Sequence, residues 1–328
     1  MSKGTQYLLD LVGRLRHKSK EREPEEPAVQ PEPKPEPPPA PAEPAPQHLT
    51  PVRHPQRDFF MCDVLDAAPK DDLGSMEHPM FALKAGDRAV RRYEHRNASV
   101  EVTPSVKGLA TIHDKDVLIY VVSQLVEAMN RGREDLGPTV RLTAYDLLVS
   151  TNRRTDGDSY NRLQAALDRL AGTRVSTNIK TGNKRERAGF GLIESYRIVE
   201  VDGRERMASL EVTISDWLWR AVQAREVLTI SRDYFRLRKP LDRRIYELCR
   251  KHCGSQQRWR VGLATLHSKS GSTTTLRKFR AAIKSLAESN QLPDYRIRYD
   301  EKADKVVAYP RSPKGGQAQL KDIVSEGG

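Results

Sequence analysis

Two groups of side chains are equipped for chemistry. Asp63, Asp66, Asp71, Asp72 and Glu77 supply the hard oxygen ligands that Mg²⁺ prefers. Cys249, His252 and Cys253 supply half of a zinc-type ligand set. Neither group is complete. No second Cys/His pair follows the first at finger spacing, and cysteines at i and i+4 are neighbours on one helix face. The acidic segment reads as a solvated or partner-contacting stretch. The span from Gly182 to Gly189 lacks the Gly-Lys-Ser/Thr of a phosphate-binding loop. No histidine–hydrophobic–histidine pair is present to hold the metal of a tyrosine nickase, and no motif sets a nucleophile beside a base. The expectation is a protein that is not an enzyme, with no metal and no cofactor.

Basic side chains carry a stronger pattern. At 100° per residue over 276–287, Leu276, Phe279, Ile283 and Leu286 share one face and make a core stripe. Thr274, Arg277, Lys278, Ala281, Lys284 and Ser285 lie opposite, with Arg280 on the border and no acid among them. The run Thr273-Thr274-Thr275 opens the helix with hydroxyls suited to capping or to phosphate. Arginine can read guanine through a pair of hydrogen bonds, and a small alanine lets a helix approach the bases closely. This face is assigned to duplex DNA. The plainer alternative is a solvated basic face.

Residues 160–171 repeat the plan more weakly. Leu163, Leu167 and Leu170 form the stripe, while Asn161, Arg162, Gln164 and Arg169 face outward beside Asp168. A basic turn follows with Lys180, Lys184, Arg185 and Arg187, which reads as a wing able to clasp a backbone or as a charged hairpin tip. Arg232, Arg236, Arg238, Lys239, Arg243 and Arg244 form a strip dense enough to follow phosphates, and Arg296 and Arg298 add cations to a later strand.

The elements that position these residues occur twice. An apolar helix at Asp116 to Asn130 and another at Asp242 to His252 share an Ile-Tyr pair. Each is followed by a short helix (Thr143 to Asn152; Gly262 to Ser270), a polar turn, and a longer helix. RLQAALDRLA at 162–171 and KFRAAIKSLA at 278–287 align without a gap. Alternating β-formers come next in both, as RVSTNIK, FGLIESYRIVEV and MASLEVTI, and as YRIRYDE and KVVAYP. Helix, helix, turn, helix and hairpin is the winged helix-turn-helix plan, with the helix after the turn in the major groove. Between the copies, Ser215 to Gln223 reads as a capped helix, with Trp217 and Leu218 packed at the seam.

The expected fold is α+β, with two tandem winged helix-turn-helix domains preceded by a disordered Pro-rich linker. Residues 1–20 form a short amphipathic segment, with Leu8, Leu11, Val12 and Leu15 at helical spacing. Residues 21–56 hold 13 of the 21 prolines and form the linker. Residues 57–231 are the first domain, 232–311 the second, and 312–328 a disordered tail. No apolar run approaches the roughly 20 residues of a membrane span. The first apolar cluster is broken by Asp10, Gly13 and Arg14, which argues against a signal peptide. Only 3 cysteines occur in 328 residues, which excludes a disulfide scaffold and suits a cytoplasmic protein.

The net charge of +12 is not spread evenly. Residues 232–311 hold 20 basic against 8 acidic groups, and every other segment balances to zero. The second copy is therefore expected to supply the main grip on DNA, and the first an auxiliary contact or a dimer surface. Isolated 232–311 is expected to keep most of the DNA affinity.

The stretch RDFFMCDVLDAAPKDDLGSMEHPMFALKAGD, Arg57 to Asp87, resembles the opening of the plasmid replication initiator protein A family. The similarity continues through YEHRNASVEVTPS, KDVLIYVVSQLVEAMNRG and DSYNRLQAALDRLAGT, over residues 57–311. It implies a protein that binds short direct repeats (iterons) in double-stranded DNA at a plasmid origin and helps to open an adjacent A+T-rich duplex. It also implies recruitment of a host initiator and replicative helicase, and a homodimer in equilibrium with monomer whose dimer represses its own promoter. Such a protein would be cytoplasmic and nucleoid-associated, with no membrane partner. The alternatives are a winged-helix transcriptional repressor without a replication role and a nicking initiator.

Overall fold

Helix starts follow side-chain chemistry. Thr143, Asp156, Ser215 and Thr275 each accept a hydrogen bond from the backbone N–H three residues on. Each satisfies an N–H that the first turn would otherwise leave without a partner. A computed structural model describes Leu49, Arg53 and residues 67–95, 98–179, 188–201, 204–254 and 256–327. The 1–20 segment, the linker apart from Leu49 and Arg53, and the basic turn at 180–187 lie outside the described residues.

The chain runs through β1 (Lys70–Asp72), α1 (Leu73–Glu77), β2 (Arg91–His95), β3 (Ala98–Thr103), α2 (Lys115–Asn130), β4 (Thr139–Leu142), α3 (Ala144–Ser150) and α4 (Gly157–Gly172). Next come β5 (Arg174–Thr177), β6 (Ala188–Gly191), β7 (Ile193–Val201), β8 (Arg204–Ile214), α5 (Asp216–Gln223) and β9 (Val227–Thr229). A 3-10 turn at Arg232–Arg236 leads to α6 (Pro240–Cys253), β10 (Trp259–Gly262), α7 (Leu263–Ser270), α8 (Leu276–Ser289), β11 (Tyr295–Asp300), β12 (Lys305–Pro310) and α9 (Pro313–Gly327). The fold is mixed α/β, and every ladder between these strands is antiparallel.

The element order repeats in space. α2, β4, α3 and α4 are followed by the hairpin β7–β8, and α6, β10, α7 and α8 by the hairpin β11–β12. The sheets are ordered β4–β8–β7 and β10–β12–β11, so in both the lone strand pairs with the last strand of the hairpin. The leucine stripe of α4 and the Phe279, Ile283 and Leu286 stripe of α8 are buried. Trp217 is buried too, stacked on Phe190 with ring centroids 5.1 Å apart.

Two expectations change. β5 and β6 are inserted after α4 and belong to a separate sheet ordered β2–β3–β5–β6. The basic turn at 180–187 therefore joins β5 to β6, and the hairpin that answers to β11–β12 is β7–β8. Strand alternation alone cannot say which partner a strand will take, and Val175 pairs with Val102. The tail also differs from the expected disordered segment, because it forms α9. Gly315 lies so close to the end of β12 that a Cβ there would meet the Pro310 carbonyl oxygen at 2.0 Å. The glycine allows the backbone approach that starts the docked helix. Ala318 then packs against Val307 and Tyr309, and Asp322 accepts from Tyr309 Oη at 2.7 Å.

Candidate nucleic-acid interface

The exposed face of α8 follows from its buried one. With Phe279, Ile283 and Leu286 inside, Arg277, Lys278, Ala281 and Ser285 are exposed, and Thr274 is exposed just before the helix. Arg277 and Lys278 have no ion pair among the described residues. Arg280 and Lys284 are different. Arg280 donates to Asp304 Oδ2 at 3.0 Å and to Tyr299 Oη at 2.9 Å, and Lys284 donates to Glu301 at 2.6 Å. Arg296 and Arg298 are half-buried on β11.

α4 presents a more neutral face. Asn161 and Gln164 are exposed, and Arg162 pairs with Asp158 at 2.7 Å. Arg169 donates two hydrogen bonds to Asp114, both at 2.8 Å. Asp168 accepts from Tyr196 Oη at 2.5 Å and from Lys107, whose hydrogen bonds hold its carboxyl below the ordinary aspartate range. The face beside α4 opens on a cleft of about 750 Å³ lined by Arg153, Arg154, Arg162, Arg169 and Arg243. His113 lines the same cleft, and burial pushes its imidazole down to about 4, which leaves it neutral near pH 7. Lys184, Arg185 and Arg187 lie outside the described residues.

The proposed phosphate strip divides. Arg238 and Lys239 are exposed, and Arg236 pairs with Asp233 at 2.9 Å. Arg243 is buried and is corrected from a surface cation to an internal one. It donates to Asp116 at 2.6 Å and to the Leu237 carbonyl at 2.9 Å. Arg244 is buried as well, donating to Glu247, to the Ser75 and Met76 carbonyls and to the Lys269 carbonyl. Eight consecutive residues of α6, Asp242 to Cys249, are buried. A helix covered on all sides hides its charges from a wheel that assumes one wet face.

The acidic cluster is also internal where it is described. Asp71 and Asp72 are buried, which overturns a solvated reading for them. Asp72 caps α1 by accepting from Ser75 N–H at 2.7 Å. Asp71 accepts from the fully buried Lys115 at 2.7 Å, and the same ammonium lies 3.0 Å from Glu247. Burial away from water raises the Asp71 carboxyl, and the Lys115 ammonium that it shares with Glu247 opposes that rise. Glu77 contacts His252 at 3.0 Å and Lys269. Among the described residues no group of His, Cys, Asp and Glu is arranged to hold a metal ion. Cys249 and Cys253 are buried, and desolvation raises both thiols, Cys253 to about 11.

This network was not expected from the sequence. Lys115, Asp71, Glu247, Arg244, Arg243 and Asp116 join α2 to α6 through buried charges. The available signal was Lys115-Asp116 set directly against the apolar run VLIYVV, where charge is hard to hydrate.

Comparison with known proteins agrees with this architecture. A family model described as replication initiator protein A matches residues 70–297. A protein of Wigglesworthia glossinidia brevipalpis, provisionally described as a replication protein, is 40% identical over 247 residues, covering 74% of this chain and 90% of that protein. The crystal structure of domains 2 and 3 of RctB superposes with a TM-score of 0.53 at 11% identity, over 73% of this chain and 96% of that one. That likeness is one of fold. Among the described residues no helix is long and apolar enough to cross a membrane.

Proposed function

We propose, for a chain that belongs to the replication initiator protein A family, that initiation rests on two winged-helix domains, 57–231 and 232–311, which bind repeated duplex sites at a plasmid origin. The repeated order of elements and the matching sheets support this reading. One observation carries it: the exposed face that runs from Thr274, just before α8, to Ser285 holds Arg277 and Lys278 without a carboxylate in that stretch. A helix of this kind following a turn and leading to a hairpin has the form of a major-groove reader. Arg277 is assigned to a base edge. Lys278, Arg238 and Lys239 are assigned to phosphates, which supply affinity but no sequence information.

α4, with its carboxylates and neutral amides, is given the auxiliary contact. In this reading the protein works by binding and distorting duplex DNA and performs no covalent step. It draws in a host initiator and helicase, exchanges between monomer and dimer, and represses its own promoter in the cytoplasm.

Footprinting on the replicon's own origin region tests the reading. Protection of regularly spaced repeats is expected, and the gene should sustain a plasmid carrying only those repeats. Protection of a promoter alone, with no support of replication, favours a repressor. A nicked product from supercoiled origin DNA with Mg²⁺ contradicts the non-covalent mechanism.

A further inference from the structure

Two of the cations on the reading helix are turned toward the hairpin. Arg280 Nη2 meets Asp304 Oδ2 at 3.0 Å, its Nε meets Tyr299 Oη at 2.9 Å, and Tyr299 Oη donates to Asp304 Oδ1. The three side chains close a ring between α8 and the hairpin β11–β12. One helical turn on, Lys284 reaches Glu301 at 2.6 Å and stands 5.4 Å above the Tyr299 ring. Each ion pair is partly exposed and weak by itself. The shared tyrosine makes them one arrangement, in which a shift of the hairpin must break several contacts together.

The first copy repeats the device with the opposite charge. Asp168 aligns with Lys284 at the gapless offset of the repeat. It is held by Tyr196 on β7, the first strand of its hairpin, with Lys107 as the counter-charge. In both copies this position on the long helix is tied to a hairpin tyrosine, which a phosphate contact does not require.

We infer that Arg280 and Lys284 are positioning residues that fix the β11–β12 hairpin against α8 for duplex binding, while the neighbouring face from Thr274 to Ser285 makes the contacts. This inference rests on the DNA-binding reading above. The brace sets the spacing between the groove contact and the hairpin contact before DNA arrives. It thereby lowers the ordering cost of binding.

A charge exchange tests it with the full chain, using a duplex of the replicon's origin region and a random duplex of equal length. Lys284→Glu should weaken origin binding by about tenfold or more, and adding Glu301→Lys should restore it to within roughly threefold of the parent. Hydroxyl-radical footprints should show hairpin-side protection lost in Lys284→Glu and regained in the double variant, with α8-side protection kept throughout. Thermal unfolding of the parent and both variants separates this from simple destabilisation. The inference is overturned if the double variant stays as weak as the single one and both lose about one unit of salt slope, as a phosphate contact would. If the parent fails to prefer the origin duplex over the random one, the DNA-binding reading fails first and this inference falls with it.

Discussion

Arg243 Nη1 lies 2.6 Å from Asp116 Oδ1 and joins the first turn of α6 to the first turn of α2. Both side chains are almost fully buried, at 4% and 1% exposure. Arg153 reaches the other oxygen of the same carboxylate at 2.8 Å. The two repeats are thus pinned together at equivalent helix ends.

Arg243→Ala leaves Asp116 buried with only part of its compensation. Removing one partner of a buried pair costs about 3–5 kcal/mol. Urea unfolding is expected to show that loss, with the salt dependence of DNA binding unchanged in the folded fraction. A phosphate contact would behave in the opposite way, with little loss of stability and a salt slope reduced by about one. Isolated 232–311 would leave Arg243 without Asp116, Glu247 without Lys115, and Arg244 without the Ser75 and Met76 carbonyls. The fragment is therefore a poor test of DNA affinity.

Arg277→Ala is expected to leave stability within about 0.5 kcal/mol of the parent, because the side chain is exposed and has no ion pair among the described residues. Specific binding should fall by about 1–3 kcal/mol. Lys239→Ala should weaken specific and non-specific binding together and lower the salt slope by about one, as measured by titration at several salt concentrations.

Asp242 lies near the start of α6, where burial raises its carboxyl to about 6 even though Gln291 donates to it. Between about pH 4 and pH 6 the folded state therefore holds more of this proton than the unfolded state does, and stability falls as pH rises through that window. Asp242→Asn is neutral throughout and should flatten that part of the profile. Its stability relative to the parent should be higher at pH 7 than at pH 4. Denaturant titrations at both values check this, and an unchanged difference would remove Asp242 from the account.

Asp322 on α9 accepts from Tyr309 at 2.7 Å and pairs with Arg260 at 2.9 Å and with Arg258. Asp322→Ala leaves the buried Tyr309 hydroxyl without its acceptor and should destabilise by about 1–3 kcal/mol. Thermal unfolding beside a chain ending at Arg311 should show the two changes in the same direction.

Much of the fold was legible because it depends on local periodicity. The Leu163, Leu167 and Leu170 stripe and its Phe279, Ile283 and Leu286 counterpart place two helices and their buried faces. Non-local facts were not legible. Nothing near Arg174 reveals that β5 pairs with β3 instead of entering the β7–β8 hairpin. Residues 312–328 read as a disordered tail, yet Gly315 marks a close approach to β12. Of the site, Arg277, Lys278, Ala281 and Ser285 lie exposed on one stretch of helix, as the wheel predicts. Arg243 does not, because its partner Asp116 is distant in sequence and a charge count cannot distinguish an internal cation from a surface one.

The most direct measurement is the ratio of affinities for an origin duplex and a random duplex, taken at one salt concentration for the parent and for Arg277→Ala. A parent ratio well above one is expected to collapse by roughly fivefold to 150-fold in the variant, with random-duplex binding little changed. A variant that keeps the parent's ratio would contradict the claim that the exposed face of α8 reads the sequence.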